Sequence, residues 1–173
     1  MDIDLFVSEL GRIAIVGSDG RLAQLLFGFE TERDAWEAVE RSGVSCQRTR
    51  RWSPTLRRRL VDFARGVPQD FTDVELDLEP YAGFARDVLL ACSRIPWGET
   101  RTYGELAALC GAPGAARAVG NVMASNRFPL VVPCHRVVAA NGRLGGFSAP
   151  QGVAMKRRLL GLETSSRPLA LVG

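Results

Sequence analysis

The chain has 173 residues, 46% of them hydrophobic and 24% charged, which are the proportions of a globular protein. No apolar stretch reaches the roughly 18 residues of a transmembrane helix, and the acidic start MDIDLF lacks the basic segment of a signal peptide. We therefore expect a cytoplasmic protein that does not enter a membrane. The net charge of +3 is uneven, because residues 1–79 carry −4 and residues 80–173 carry +7. The basic half fits a polyanionic partner, and ordinary surface variation explains it equally well.

The cysteines and the histidine argue against two kinds of site. The four cysteines are scattered with no CxxC pair, which argues against a disulfide scaffold. The chain has one histidine, His135, and lacks the spacings of zinc ligands, so we expect no metal site and no cofactor. The cysteines are Cys46, Cys92, Cys110 and Cys134.

The first half begins with the pattern of a β-hairpin. Two apolar runs, 12–17 and 21–28, flank the turn Ser18-Asp19-Gly20. Thr31 fits the N-cap of a helix because acidic residues follow it in the first turn. The sequence further predicts helices at 32–42 and 55–65 and a short strand at 76–80.

The second half begins with a predicted amphipathic helix over 81–93. Thr102 and Glu105 then form the S/T-x-x-E pattern of a capping box, which opens a helix that ends before Gly111. A further helix is predicted from Pro113 to about Ser125. Two short helices around a glycine turn indicate a helix-turn-helix. The small residues of the second helix fit close approach to a DNA groove, and packing between helices explains them as well.

The stretch VVPCHRVV, residues 131–138, predicts a short buried strand bent at Pro133. A loop rich in glycine and proline follows at 145–152, and a last helix is predicted over 153–160. The basic run Lys156-Arg157-Arg158 on that helix is expected to be surface charge. We expect residues 166–173 to be a loose tail.

Cys134 and His135 suggest nucleophilic chemistry. A cysteine attacks as a thiolate, and an imidazole held by a carboxylate can take the thiol proton. Among the acidic residues of the basic half, Glu163 is the best remaining candidate for that carboxylate. Neighbours in a strand point to opposite faces, so contact between Cys134 and His135 needs a bend at Pro133 or a bridging water. A buried, inert thiol is equally compatible with these residues.

Several segments between Tyr81 and Glu163 resemble, in order and spacing, the O6-alkylguanine-DNA alkyltransferases, also called methylated-DNA–protein-cysteine methyltransferases. Pro133 to Val138 resembles that family's acceptor motif, and Asn126 falls at the family's hinge asparagine. The other matching segments are Ile95-Pro96-Trp97-Gly98-Glu99-Thr100, Thr102-Tyr103-Gly104-Glu105-Leu106-Ala107 and Ala116-Arg117-Ala118-Val119-Gly120.

The resemblance implies an α+β fold. Residues 1–79 would form a ribonuclease-H-like domain with a small antiparallel sheet and helices. Residues 80–165 would form a mostly helical, winged-helix-like DNA-binding domain. The implied function is direct-reversal repair, in which an alkyl group moves irreversibly from O6 of a flipped guanine in double-stranded DNA to the protein's own cysteine. We expect a monomer, and cooperative assembly on DNA is left open.

The resemblance also assigns roles to individual residues. Cys134 would accept the alkyl group, and His135, oriented by Glu163, would act as its base through water. Tyr103 would crowd the target phosphate and protonate the leaving guanine. The remaining residues would brace the hinge (Asn126), enter the base stack (Arg117), lie against DNA (Ala116, Ala118, Gly120 and Arg136) or line the substrate pocket (Val137, Phe147, Ser148 and Trp97). The backbone carbonyls of Cys134 and Val137 would accept from the guanine amine, and the Ser148 N–H would hold O6.

Two other functions stay open at this point. Relatives that keep the fold but replace the cysteine bind alkylated bases without repairing them, and the presence of Cys134 argues against that function here. A Cys-His hydrolase would need turnover and an oxyanion hole, for which the sequence offers no specific residues. The loop around Phe147 departs from the family's Tyr-Ser-Gly-Gly form, which affects the size of the pocket.

Overall fold

The computed structural model describes residues 1–44 and 48–165; Cys46 and the predicted tail at 166–173 lie outside the described residues. The fold is α+β, with a sheet in the first half and mostly helices in the second. The strands are β1 (Asp2–Ser8), β2 (Gly11–Ser18), β3 (Arg21–Phe29), β4 (Arg48–Thr49), β5 (Arg101–Thr102) and β6 (Val137–Val138). The helices are α1 (Glu32–Arg41), α2 (Pro54–Ala64), α3 (Gly83–Ser93), α4 (Tyr103–Leu109), α5 (Ala116–Ala124) and α6 (Val153–Ser165).

The main sheet has the order β3-β2-β1-β4, in which β1, β2 and β3 are antiparallel and the two-residue β4 is parallel to β1. The predicted hairpin is confirmed, and its turn uses positive φ angles at Asp19 and Gly20. The strand β1 was not predicted. The strand expected at 76–80 is wrong, because the chain there makes a single bridge between Leu22 and Leu76.

The sheet buries both of its faces. One face packs against α1 through a small cluster that includes Ala14, Val16 and Val39. The other face belongs to a large core that contains Phe27 of β3 and Phe63 of α2 together with residues of α3, α4, α5 and α6. The second half therefore rests directly on the sheet and on α2.

The helix-turn-helix consists of α4 and α5, which contact each other. The predicted capping box is present: the Thr102 hydroxyl accepts from the Glu105 N–H, and the Glu105 carboxylate accepts from the Thr102 N–H. The chain leaves α4 through Gly111, whose φ is +71°. The second helix begins at Ala116, three residues later than predicted.

Two predictions around Cys134 need correction. Cys134–Arg136 is a 3-10 turn, and only Val137–Val138 is strand, paired in parallel with β5. The last helix does not stop at Gly161 but continues to Ser165, so Glu163 lies inside it. Within the described residues, the structure holds no helix of the length and hydrophobicity that crossing a membrane requires.

Candidate active site

The 3-10 turn buries three consecutive polar side chains, Cys134, His135 and Arg136. Pro133 precedes the turn, and its carbonyl accepts from the Arg136 N–H at 2.8 Å. In a strand His135 would point away from both of its neighbours, whereas a tight turn fans successive side chains over a narrower arc. In a strand, Cys134 and His135 would point to opposite faces, and the turn removes this obstacle to an interaction between them.

His135 and Glu163 form a buried pair. The Nε2 atom of His135 lies 2.6 Å from the Glu163 carboxylate, and neither side chain is more than 1% exposed. Burial lowers the pKa of His135 despite the neighbouring carboxylate, so the ring is neutral at neutral pH. A neutral ring that donates from Nε2 leaves Nδ1 as an acceptor, and Nδ1 is buried and has no hydrogen-bond partner among the residues that the structure describes. The ring is therefore able to accept a proton at Nδ1.

Arg136 supplies the cation that balances Glu163. Its Nε and Nη2 atoms donate to the carboxylate at 2.9 to 3.1 Å, and Nη1 donates to the Ile95 carbonyl. Burial alone would raise the pKa of Glu163, but hydrogen bonds and charges from His135 and Arg136 lower it to about 2. The expectation that Arg136 lies against DNA is wrong, because its guanidinium is buried where Glu163 needs a counter-charge.

Cys134 is buried, with 7% of the residue exposed. Burial raises the pKa of its thiol, which opposes ionisation. A hydrogen bond from Asn126, the charge of Lys156 and the backbone N–H groups of Cys134 and His135 act in the opposite direction and lower this pKa. The thiol is thus buried among groups that stabilise a thiolate.

Lys156 is a site residue that sequence analysis placed wrongly at the surface. It is fully buried, and its Nζ donates to the Val137 carbonyl at 2.6 Å and lies 3.4 Å from the Tyr103 hydroxyl. Burial lowers the pKa of Lys156, and the thiols of Cys134 and Cys92 act to raise it. Lys156 and Glu163 are seven residues apart, two helical turns, so a helix that runs through Gly161 puts both on one face. The seven-residue spacing from Glu163 is the feature of the sequence that could have identified Lys156 as a site residue.

Two cavities meet at Cys134. The front cavity, of about 350 Å³, lies beside the helix-turn-helix, and the back cavity, of about 250 Å³, lies against β3. Both are lined by Met123, Ala124, Cys134, Phe147 and Ser148. The front cavity is also lined by Tyr103, Gly120, Gly145 and Gly146; the back cavity by 24–27, Phe29, 125–127, Pro129, Ala149 and Pro150.

Two of the expected pocket residues lie elsewhere. Trp97 lines a separate cavity of about 330 Å³ together with Arg136 and packs edge-on against Phe63. The Val137 side chain is fully buried in the core, and its carbonyl already accepts from Lys156. Trp97 thus lies against α2, through its contact with Phe63. The expectation that Trp97 and Val137 line the pocket of Cys134 is therefore wrong.

Asn126 connects α5 to the turn that carries Cys134. Its Nδ2 donates to the Val132 carbonyl at 2.9 Å, and its Oδ1 accepts from the Phe128 N–H at 2.9 Å. These two bonds close the chain between the end of α5 and Pro133. The Asn126 side chain thereby ties the end of α5 to the segment that leads into the turn of Cys134.

The predicted DNA-facing residues other than Arg136 lie on α5 and at the start of α4. Arg117 and Ala118 are exposed, whereas Ala116, Gly120 and Tyr103 are half-buried. Val119, Val122 and Met123 form the opposite, buried face of α5. This leaves a surface of small side chains and one arginine next to the front cavity.

Comparison with known proteins identifies the family. Residues 83–165 match the family model described as 6-O-methylguanine DNA methyltransferase, DNA binding domain. The chain is 38% identical to a methylated-DNA–protein-cysteine methyltransferase of Mycolicibacterium paratuberculosis over 95% of this chain and 93% of that protein. The chain belongs to the methylated-DNA–protein-cysteine methyltransferase family. Its sequence motifs had indicated the same family.

Solved structures of this methyltransferase family share the fold over nearly the whole chain. The crystal structure of Mycobacterium tuberculosis OGT in complex with DNA matches with a TM-score of 0.80 and 34% identity, covering 97% of this chain and 96% of that one. The O6-methylguanine-DNA methyltransferase of Pyrococcus kodakaraensis matches with a TM-score of 0.70 and 29% identity, covering 94% and 98%. The predicted α+β fold class is confirmed.

Metal ligands do not cluster in the described part of the chain. Across residues 1–44 and 48–165, no three His, Cys, Asp or Glu side chains come together in a group that could hold a metal ion. His135 and Glu163 are occupied by each other and by Arg136.

Proposed function

We propose that the protein repairs double-stranded DNA by moving an alkyl group from O6 of guanine to the sulfur of Cys134, once per molecule. The observation that carries this proposal is a buried cysteine, reachable from two cavities, in the same turn as a histidine paired with a buried carboxylate. Family membership supports the reaction class. A base inside a duplex cannot reach a buried sulfur, so the guanine must leave the stack, at a cost of a few kcal/mol.

Proton transfer from the thiol is the first chemical step. The unpartnered Nδ1 of His135 accepts the proton of Cys134, directly or through one water, while Nε2–H continues to donate to Glu163. The imidazolium that forms is stabilised by the ionised Glu163. Arg136 keeps Glu163 ionised, and Lys156 stabilises the thiolate.

Alkyl transfer follows as a displacement at carbon. The thiolate attacks the alkyl carbon, a C–S bond forms and the bond between that carbon and O6 breaks, leaving an electron pair on the guanine. Tyr103, which lines the front cavity, donates its hydroxyl proton to the guanine ring, and the Lys156 ammonium beside it stabilises the resulting phenolate. The product is an S-alkylcysteine, in which the thioether no longer offers a thiolate for a second transfer.

DNA contacts are assigned to the surface around α5. In this proposal Arg117 fills the gap that the flipped base leaves, and the small residues Ala116, Ala118 and Gly120 permit close approach to the groove; the exposure of Arg117 on α5 supports its role. The net charge of +7 in residues 80–173 favours phosphate contacts. We also propose that the protein acts as a monomer in the cytoplasm, on chromosomal DNA.

The deciding experiment is transfer of label from a duplex that carries O6-methylguanine with a radioactive methyl group. We expect label to move to the protein, to saturate at one equivalent and to map to Cys134. Cys134→Ser should abolish transfer, whereas Cys110→Ser, at the end of α4 and outside both cavities, should retain it. Binding of the lesion with no gain of protein mass would show a binding protein instead, and repeated turnover of an ester would support a hydrolase.

A further inference from the structure

The back cavity takes much of its wall from the first half of the chain, which sequence analysis did not connect with the substrate pocket. Strand β3 runs along one side of it, and the segments 123–129 and 147–150 form the others. The Leu25 N–H of β3 donates to the Arg127 carbonyl at 2.8 Å, which fixes the strand against the segment after α5. The N-terminal sheet is thus part of the surroundings of Cys134.

The loop 145–152, which lines both cavities, contacts two consecutive residues of β3. The ring of Phe27 packs edge-on against the ring of Phe147, with centroids 6.3 Å apart. At the next position, the Gly28 carbonyl accepts from the Gln151 side chain at 3.2 Å. A Cβ on Gly28 would lie 3.4 Å from Pro150, so the loop lies directly against the strand.

The position of Phe147 decides how much room an alkyl group has. Its ring lines both cavities beside Cys134 and is only half-buried, whereas Phe27 behind it is 3% exposed and held in the core. Phe147 can move towards solvent, but it cannot move into β3 while Phe27 is there. Phe27 therefore fixes one wall of the back cavity through Phe147.

We infer that Phe27 is a positioning residue that sets the size of O6 substituent the protein accepts, with Phe147 transmitting its effect. This inference rests on the proposed function. A guanine arriving from DNA enters the front cavity, which Tyr103 and Gly120 of the helix-turn-helix line. Its O6 substituent then points at Cys134. A methyl group fits between O6 and the sulfur, whereas the phenyl ring of a benzyl group projects sideways from the attacked carbon into the back cavity and meets Phe147.

The test compares two substrates on the same variant. Single-turnover rate constants are measured for duplexes that carry O6-methylguanine or O6-benzylguanine, with the wild type and Phe27→Leu. Leucine keeps an apolar side chain but lets Phe147 retreat, so we expect the benzyl-to-methyl ratio of rate constants to rise about tenfold, within the range for a change of this size in an apolar pocket. The methyl rate constant should change little.

Matched controls separate positioning from general destabilisation. Phe6→Leu alters another buried phenylalanine of the same sheet, one that lines neither cavity, and should leave the ratio unchanged. Phe27→Leu combined with Phe147→Leu should give no further increase over Phe147→Leu alone, because the two residues act through one contact. An unchanged ratio in Phe27→Leu, or an equal rise in Phe6→Leu, overturns the inference.

A second variant keeps the inference falsifiable if Phe27→Leu does not fold. Gln151→Ala removes the tether between the loop and Gly28 without disturbing the core and should raise the same ratio severalfold. An unchanged ratio in that variant would then overturn the inference. Failure of the proposed function has a different outcome, since the wild type would then transfer neither alkyl group.

Discussion

At the scale of single residues, four charged or ionisable side chains of the site each have a different electrostatic role. Arg136 neutralises Glu163, which lets Glu163 accept from His135 without drawing a proton from it. His135 stays neutral and keeps one nitrogen as a base. The positive charge of Lys156 lowers the pKa of the Cys134 thiol. Each group holds the protonation state that the transfer needs before substrate arrives.

The acid stability of the protein should report the ionised state of Glu163. Its pKa is about 2 in the folded protein and ordinarily 4.5, so its contribution is complete above pH 4.5 and is lost as the pH falls towards 2. The shift corresponds to about 3 kcal/mol of unfolding free energy. Glu163→Gln should destabilise the protein strongly at pH 7, because it leaves Arg136 buried without a counter-charge.

Urea unfolding of the wild type and Glu163→Gln at several pH values between 7 and 3.5 measures this effect. We expect the gap in unfolding free energy to narrow steadily below pH 4.5. A gap that stays constant down to pH 3.5 would show that folding does not lower the pKa of Glu163.

Residue types in sequence gave part of this site. Cys134 and His135 were identified because they are adjacent and because His135 is the chain's only histidine. The family resemblance implies that Arg136 contacts DNA, and the basic run that contains Lys156 predicts surface charge, because lysine is rarely buried without a partner. Their partners, Glu163 and the Val137 carbonyl, come close only once α6 packs against the 3-10 turn. A tertiary contact of that kind leaves no local pattern to read.

At the scale of secondary structure, α4 illustrates how strongly a local signal can fix an element. The capping box holds the first turn of a helix only seven residues long, and Tyr103 is the first residue of that helix. We expect Thr102→Ala to lower the unfolding free energy by about 1 kcal/mol, because the Glu105 N–H loses its acceptor. Urea unfolding measures the change, and Thr164→Ala, whose hydroxyl donates to the Leu160 carbonyl late in α6, is the control.

Thr102→Ala should also slow alkyl transfer, because fraying of the first turn of α4 releases Tyr103 from the front cavity. An unfolding free energy equal to that of the wild type would mean that packing, and not the cap, defines the start of α4.

Elements with local signals were predicted well, and elements that depend on distant contacts were not. The hairpin, α1, α2 and α4 have a turn, a cap or a terminal glycine in their own sequence. Residues 131–138 are rich in valine and predicted a strand, yet the bonds of Asn126 and Pro133 bend the chain into a turn. Gly161 predicts the end of a helix, but α6 continues past it to Ser165 and includes the buried Glu163.

At the scale of the whole molecule, the two halves share one core. The ring centroid of Phe63 in α2 lies 6.0 Å from that of His135 and 5.0 Å from that of Trp97, so a helix of the first half packs directly against His135. Phe27 and Gly28 support the active-site loop from the sheet. The domain boundary between residues 79 and 80 stays a prediction. The hydrophobic core has no corresponding boundary, because one cluster contains residues from both halves.

A shared core predicts that both halves unfold in one transition. The main cluster includes Phe27 and Phe63 from the first half and Val88, Val119 and Leu159 from the second, so neither half can lose its structure without exposing the other. In the variant Trp36→Phe/Trp52→Phe, fluorescence comes from Trp97 alone and reports the second half, while circular dichroism in the far ultraviolet reports the whole chain. We expect the two urea midpoints to coincide.

The complementary variant Trp97→Phe moves the fluorescence signal to the first half, and its midpoint should again match that from circular dichroism. Fluorescence and circular dichroism midpoints that differ within either variant would indicate separate domains that unfold independently. The Phe27 contact would then join two independent units. The contacts of Phe27 and Gly28 with the loop beside Cys134 connect the sheet to the alkyl-transfer site. A single transition would therefore mean that unfolding of either half also unfolds that site.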